Sequence, residues 1–315
     1  MIKRTIEISA GPARLSIRNR QLLIERNGCD PATVPAEDIG LLLVDHPAVS
    51  YTHAVFTTLS EHGAAIVLCG GAHLPSAMVM PLAANTVQTE RFRAQIEAPV
   101  PLRKQLWRQA VACKIAQQAA VLEAVAGSDT GLRAMARRVR SGDAGNLEAQ
   151  AAQRYWPRLL GPEFRRARDG DPPNNLLNYG YMAMRAAVAR ALCGAGLLPT
   201  LGIHHRNRYN AFCLADDLME PYRPFVDLRV VEMVRENGAP LILDREEKAH
   251  LLGLFNHRVR IGARTNPLLL AIQTTAASLA HSFAQRRAVL AFPEGLPCAE
   301  SGIPPDDESD DLPDL

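Results

Sequence analysis

The sequence predicts an α+β protein: an N-terminal β-rich, sandwich-like domain, a larger all-helical C-terminal domain, and a disordered acidic tail. Three observations predict it. Short apolar runs, partly alternating, fill the first seventy or so residues. A stretch nearly free of glycine begins at Glu90 and repeats its apolar residues at helical spacing. The last fifteen residues hold six acids and no base. The expected boundaries are 1–80 for the β-rich domain, 81–97 for a linker, 98–297 for the helical domain and 298–315 for the tail.

Taken in order, 5–9, 13–17 and 21–25 read as strands set apart by Gly11-Pro12 and Arg18-Asn19-Arg20. Residues 39–44 (IGLLLV) form a buried-strand run, 52–61 reads as a helix before Gly63, and 64–69 (AAIVLC) is another apolar strand. These apolar strands suit either a core or a subunit interface. Residues 75–84 form a link with room for one more strand. Beyond Pro101, apolar residues at Leu102, Leu106, Val111, Ile115, Ala119 and Leu122 mark a long helix. Further helices are expected at 130–139, 144–155, 176–193, 210–234, 245–255 and 268–287. Pro221 and Pro224 should kink or break the 210–234 helix, because each removes a backbone donor.

The chain has 35 basic and 33 acidic residues, a net +2 that does not by itself suggest a polyanionic partner. The distribution does. Six acids (Asp306, Asp307, Glu308, Asp310, Asp311, Asp314) sit in the tail, leaving 35 basic against 27 acidic residues before it, a net +8 on residues 1–300. Six dispersed cysteines without a C-x-x-C pair support neither a zinc knuckle nor a disulfide framework. The N-terminus lacks a signal-peptide pattern, and no run is long and apolar enough to span a membrane, so a cytoplasmic protein without membrane contact is expected.

The densest chemistry lies in 202–224, GIHHRNRYNAFCLADDLMEPYRP, which packs two histidines, two aspartates and a glutamate together. His205 and Glu220 are too far apart in sequence for one helical turn, so a site using both needs the chain to fold back. Asp217 and Glu220 share a helix face, and the same pair also fits a capping box in which Asp217 begins a helix.

The G-x-x-H at Gly202 to His205 and the block Leu214-Ala215-Asp216-Asp217-Leu218-Met219-Glu220-Pro221-Tyr222-Arg223-Pro224 resemble the signature of the CRISPR-associated adaptation integrases, the Cas-one family. Two further segments carry the resemblance: Glu148-Ala149 through Tyr155-Trp156, and Asn174 through Leu177-Asn178-Tyr179-Gly180-Tyr181. The wording looks most like the branch that travels with type II systems.

The resemblance implies a metal-dependent endonuclease and integrase that inserts spacer DNA into a repeat array, a spacer 3′-hydroxyl attacking a repeat-edge phosphodiester. It implies Glu148, His205 and Glu220 as catalytic metal ligands. One imidazole with two carboxylates suits Mg²⁺ or Mn²⁺ better than a thiolate-rich zinc site does. Asp217 is either an auxiliary acid or a helix cap, His204 a neighbour, and Arg223 a partner for a site carboxylate, the preferred reading, or for a phosphate. Cys213 reads as structural. Tyr155, Trp156, Tyr179 and Tyr181 suit either base stacking or a core. Arg137, Arg138, Arg140, Arg165 and Arg166 bracket Glu148 and are candidates for the DNA backbone. The implied partners are double-stranded DNA, a second copy in a homodimer joined through the N-terminal sheets, a Cas-two dimer bridging two homodimers, and the Cas-nine effector. Two other readings are a branched-DNA or flap nuclease without joining, and a non-catalytic DNA-binding scaffold.

Overall fold

In the computed structural model of the chain, residues 3–70, 75–238 and 242–298 are described. Apart from Cys298, the expected acidic tail lies outside them. The N-terminal part runs β1 (Arg4–Ile8), β2 (Ala13–Arg18), β3 (Gln21–Glu25), β4 (Ala32–Pro35), β5 (Ile39–Val44), β6 (Val49–Tyr51), α1 (His53–Glu61), β7 (Ala65–Cys69) and β8 (Pro75–Val79). Its strands form two four-stranded sheets, ordered β1-β5-β7-β8 and β4-β3-β2-β6.

Strand β5 pairs in parallel with both β1 and β7, and all six of its residues are buried. Such an unbroken apolar run is what a strand covered on both faces requires. Ile39, Leu42 and Val44 point into a core with Leu15, Leu22, Val55 and Leu59. Leu41 and Leu43 point the other way, into the core of the helices. The apolar strands β5 and β7 are thus consumed within the chain. Of the two uses open to them, core and subunit interface, these strands serve the core.

The helical part runs α2 (Gln88–Ile96), α3 (Val100–Ala126), α4 (Leu132–Arg137), α5 (Leu147–Leu160), α6 (Asn174–Gly194), α7 (Cys213–Met219), a 3₁₀ turn (Glu220–Tyr222), α8 (Arg223–Asn237), α9 (Arg245–Gly253), β9 (Arg258–Ile261), β10 (Arg264–Pro267), α10 (Leu268–Ala284) and β11 (Glu294–Cys298). The α+β class is as predicted, and the C-terminal part is helical but not wholly so. Strands β9, β10 and β11 form an antiparallel sheet ordered β10-β9-β11. Two of these strands are only four residues long, hinged on Gly262 at φ 59°, and the third arrives across the intervening helix α10. Local periodicity carries little signal for so short a hairpin.

Helix α3 is the axis of this part, packing against α4, α5, α8 and the 3₁₀ turn. Pro221 and Pro224 sit in the first turns of the 3₁₀ segment and of α8, where a missing N–H costs nothing, and so divide the predicted 210–234 helix. At Gly180 a Cβ would collide with Val226 Cγ1, so α6 and α8 approach closely only because this residue is glycine. Polar contacts tie the two parts together. Tyr179 donates to Glu7 at 2.9 Å, Arg190 to the Gly63 carbonyl at 2.7 Å, and Lys248 pairs with buried Asp45. No described helix is long and apolar enough to cross a membrane.

Candidate active site

Glu148, on the first turn of α5, and Glu220, opening the 3₁₀ turn, converge on a single ammonium group. Lys114 Nζ, from the middle of α3, lies 2.6 Å from Glu148 Oε1 and 2.6 Å from Glu220 Oε2. The first contact is a hydrogen bond. At the second, the same ammonium compensates the charge of Glu220 Oε2. On its other side Glu220 Oε1 faces Arg223 Nε at 3.0 Å. Burial alone would raise the Glu220 carboxyl, but Arg223 and Lys114 outweigh it and hold it at about 2. Burial would likewise lower Lys114, yet Glu220 and Glu148 together raise it.

The start of α5 is set by Asp143. Its carboxylate accepts from the backbone N–H groups of Leu147 at 2.9 Å and Glu148 at 3.0 Å, satisfying donors that a helix start leaves orphaned. Glu148 is thereby presented from a fixed backbone.

His205 arrives from the loop before α7. Asp217, fully buried, accepts from the His204 N–H at 2.9 Å, the His205 N–H at 3.1 Å and His205 Nδ1 at 2.5 Å. This corrects the capping-box reading. Asp217 lies inside α7 rather than at its start, and the N–H groups it accepts belong to the histidine loop. The Asp217 hydrogen bond raises the His205 pKa against the opposing effect of burial. With Nδ1 committed to Asp217, Nε2 is the nitrogen left for a ligand. Gly202 makes the arrangement possible: a Cβ there would collide with the His205 carbonyl oxygen and come within 2.8 Å of Asp217 Oδ2. His204 stacks on buried Trp107, ring centroids 4.1 Å apart, and His205 meets the same ring edge-on.

The structure therefore brings Glu148 and Glu220 together on Lys114, with Arg223 on the other oxygen of Glu220, and sets the His205–Asp217 pair beside them, His205 near enough to Glu220 for each to stabilise the other's charge. Among the described residues, no three His, Cys, Asp or Glu side chains are arranged to grip an ion outright; the ammonium stands between the carboxylates. Tyr155, Tyr179 and Tyr181 are core residues, not stacking platforms, and Trp156 packs edge-on against Tyr155. Cys213 is buried beside the Asn207 and Asn210 carbonyls. Arg137, Arg138 and Arg140 are exposed. Arg165 donates to the Pro162 and Phe164 carbonyls, and Arg166 is held by Asn174, Asn178 and the Ala167 carbonyl.

Several contributors escaped the sequence reading. Lys114 lies on the buried stripe of α3, with Trp107, Ala110, Val111 and Gln118, and a lysine on such a stripe is itself the signal. Beneath the site, Tyr155 donates to Asp227 at 3.0 Å and Tyr181 donates to the same carboxylate. Tyr155 follows Glu148, and Asp227 follows Glu220, by seven residues, two helical turns. Beside the site, a groove of about 510 Å³ is lined by His205, Arg103, Arg206 and Arg208. The Arg-Asn-Arg after His205 was the available cue.

These positions fall within residues 8–240, which match the family described as CRISPR associated protein Cas1. The chain belongs to the Cas1 family. It is 38% identical over 304 residues, 95% of this chain and 99% of the relative, to the CRISPR-associated endonuclease Cas1 of Neisseria meningitidis serogroup C (strain 8013). Among solved structures it resembles a casposase bound to its integration product, with a TM-score of 0.74, 18% identity and 92% of each chain covered. It also resembles a chain of a Cas6-RT-Cas1–Cas2 complex, with a TM-score of 0.68 and 16% identity over 91% of this chain and 35% of that one. At such identities the structural likeness speaks for the Cas1 fold.

Proposed function

We propose that this Cas1-family chain is a divalent-metal-dependent DNA endonuclease and integrase of CRISPR adaptation. It inserts spacer DNA into a repeat array by attack of a spacer 3′-hydroxyl on a repeat-edge phosphodiester. The observation that carries the reading is the convergence of Glu148 and Glu220, from separate segments, on one cation beside an imidazole whose Nδ1 is already engaged.

The donor set fits Mg²⁺ or Mn²⁺. Glu220 is a buried carboxylate that shares one ammonium with Glu148, which marks the place as one where positive charge is stable between hard oxygen donors. Glu148, His205 through Nε2, and Glu220 would hold the ion, which when bound neutralises phosphate oxygens and orients the attacking hydroxyl. Asp217 keeps the imidazole turned with Nε2 outward. Arg223 keeps Glu220 ionised throughout the neutral range, its carboxyl being held at about 2. The exposed Arg137, Arg138 and Arg140 lie at the end of α4 and just after it, before α5, where they offer planar forks to backbone phosphates. In the exchange, the 3′-oxygen bonds to phosphorus as the repeat strand's bridging P–O bond breaks. One phosphodiester replaces another, and the proton lost by the attacking hydroxyl ends on the released 3′-hydroxyl.

Double-stranded DNA is the substrate, and the assembly is a homodimer, two of which are bridged by a Cas2 dimer; likeness to a chain from a Cas1–Cas2 complex supports the last point. The test is joining of a labelled 3′-hydroxyl fragment into a repeat-bearing plasmid in Mg²⁺ or Mn²⁺. Glu148→Ala, His205→Ala and Glu220→Gln should each abolish joining while DNA binding persists, and double variants should lose little more. Full integration by Glu148→Ala or His205→Ala overturns the assignment.

A further inference from the structure

We propose that Lys114 is a built-in counter-ion which competes with the divalent cation for Glu148 and Glu220, and so sets how tightly the site holds metal. The inference rests on the metal-ligand reading above. Its ground is position. Lys114 Nζ contacts one oxygen of each carboxylate at the same 2.6 Å, and its side chain is only 13% exposed. The same ammonium thus meets a negative oxygen from each of two separate segments, and their charges hold it there.

Two carboxylates pressed together at low exposure repel unless a cation lies between them. Lys114 serves when no divalent ion is present, which keeps α3, α5 and the 3₁₀ turn in register before metal arrives. A divalent cation bound to those oxygens cannot share the space with an ammonium 2.6 Å from both, and repels it. Lys114 must then leave for the solvent side of α3. Arg223 remains as the fixed partner of Glu220, since it approaches the other oxygen, Oε1.

The experiment titrates Mn²⁺ into the full-length protein and follows the loss of the free-ion electron paramagnetic resonance signal. Wild type, Lys114→Met, Glu148→Gln and His205→Ala are compared. Lys114→Met should bind Mn²⁺ tighter by on the order of tenfold or more, melt at a lower temperature without metal, and show a larger Mn²⁺-induced rise. Glu148→Gln and His205→Ala should bind weakly. If those two bind Mn²⁺ like wild type, the ligand assignment fails. If they lose Mn²⁺ while Lys114→Met binds no tighter than wild type, the competition fails and the assignment stands.

A second measurement needs no variant. Amine acylation of wild type, read by mass spectrometry, should label Lys114 slowly without Mn²⁺ and several-fold faster with saturating Mn²⁺, while exposed Lys104 stays constant. Equal labelling of Lys114 in both conditions overturns the proposal.

Discussion

The carboxyl of Asp227, replaced by the amide in Asp227→Asn, offers a direct reading of the polar clamp beneath the site. The side chain is buried and accepts from the hydroxyls of Tyr155 and Tyr181. Burial raises its pKa from 3.8 to about 7, although both tyrosine hydrogen bonds and the charges of Arg223 and Lys114 pull the other way. The folded state therefore keeps a proton that the unfolded chain has lost above pH ~4, so stability is fully present below that pH and falls as pH rises to about 7. At ~1.4 kcal/mol per unit over roughly three units, the loss is about 4 kcal/mol. Asparagine preserves the shape and does not titrate. Urea unfolding from pH 4.5 to 8.5 should show wild type losing about 3 kcal/mol relative to Asp227→Asn, most of it below pH 7. Other titrating groups cancel in the difference. Curves that run parallel within ~0.5 kcal/mol would refute the reasoning, and with it the view that this carboxyl is held protonated between two helices.

Three other outcomes are expected. Asp217→Asn loses the charge that orients His205, and Mn²⁺ affinity should fall about 10- to 100-fold; calorimetric titration showing wild-type affinity would contradict this. Gly202→Ala places a methyl against the His205 carbonyl and Asp217 and should cost about 1–3 kcal/mol, with strand transfer falling further than stability alone predicts; a variant with wild-type melting and joining would exclude the close approach. Lys248→Met removes the ammonium that pairs with buried Asp45 between the N-terminal sheet and α9, an expected loss on the order of 3 kcal/mol, and thermal melting within a degree of wild type would refute it.

The candidate site residues were readable in order along the chain. Their wording around Glu148, His205 and Glu220 led to the family, and the apolar patterns led to a strand-rich start and a long helix after Pro101. These are local properties: a proline ends a helix, and an unbroken apolar run is a buried strand, whatever else the chain does. The small sheet of β9, β10 and β11 was not readable, because its pairing joins segments separated by α10.

The same limit governed the site. Sequence spacing left Asp217 divided between a cap and an auxiliary acid; only the return of the 202–205 loop over α7 puts His205 Nδ1 2.5 Å from its carboxylate. Nothing in the sequence near Lys114 tells that two glutamates, 34 and 106 positions away, meet its ammonium at equal distance. By itself the sequence determined which groups are present and the local structure that carries them. Tertiary packing decided which charges share a site, because electrostatic energy depends on separation and burial in space, and both arise only when α3, α5 and the 3₁₀ turn close on one another.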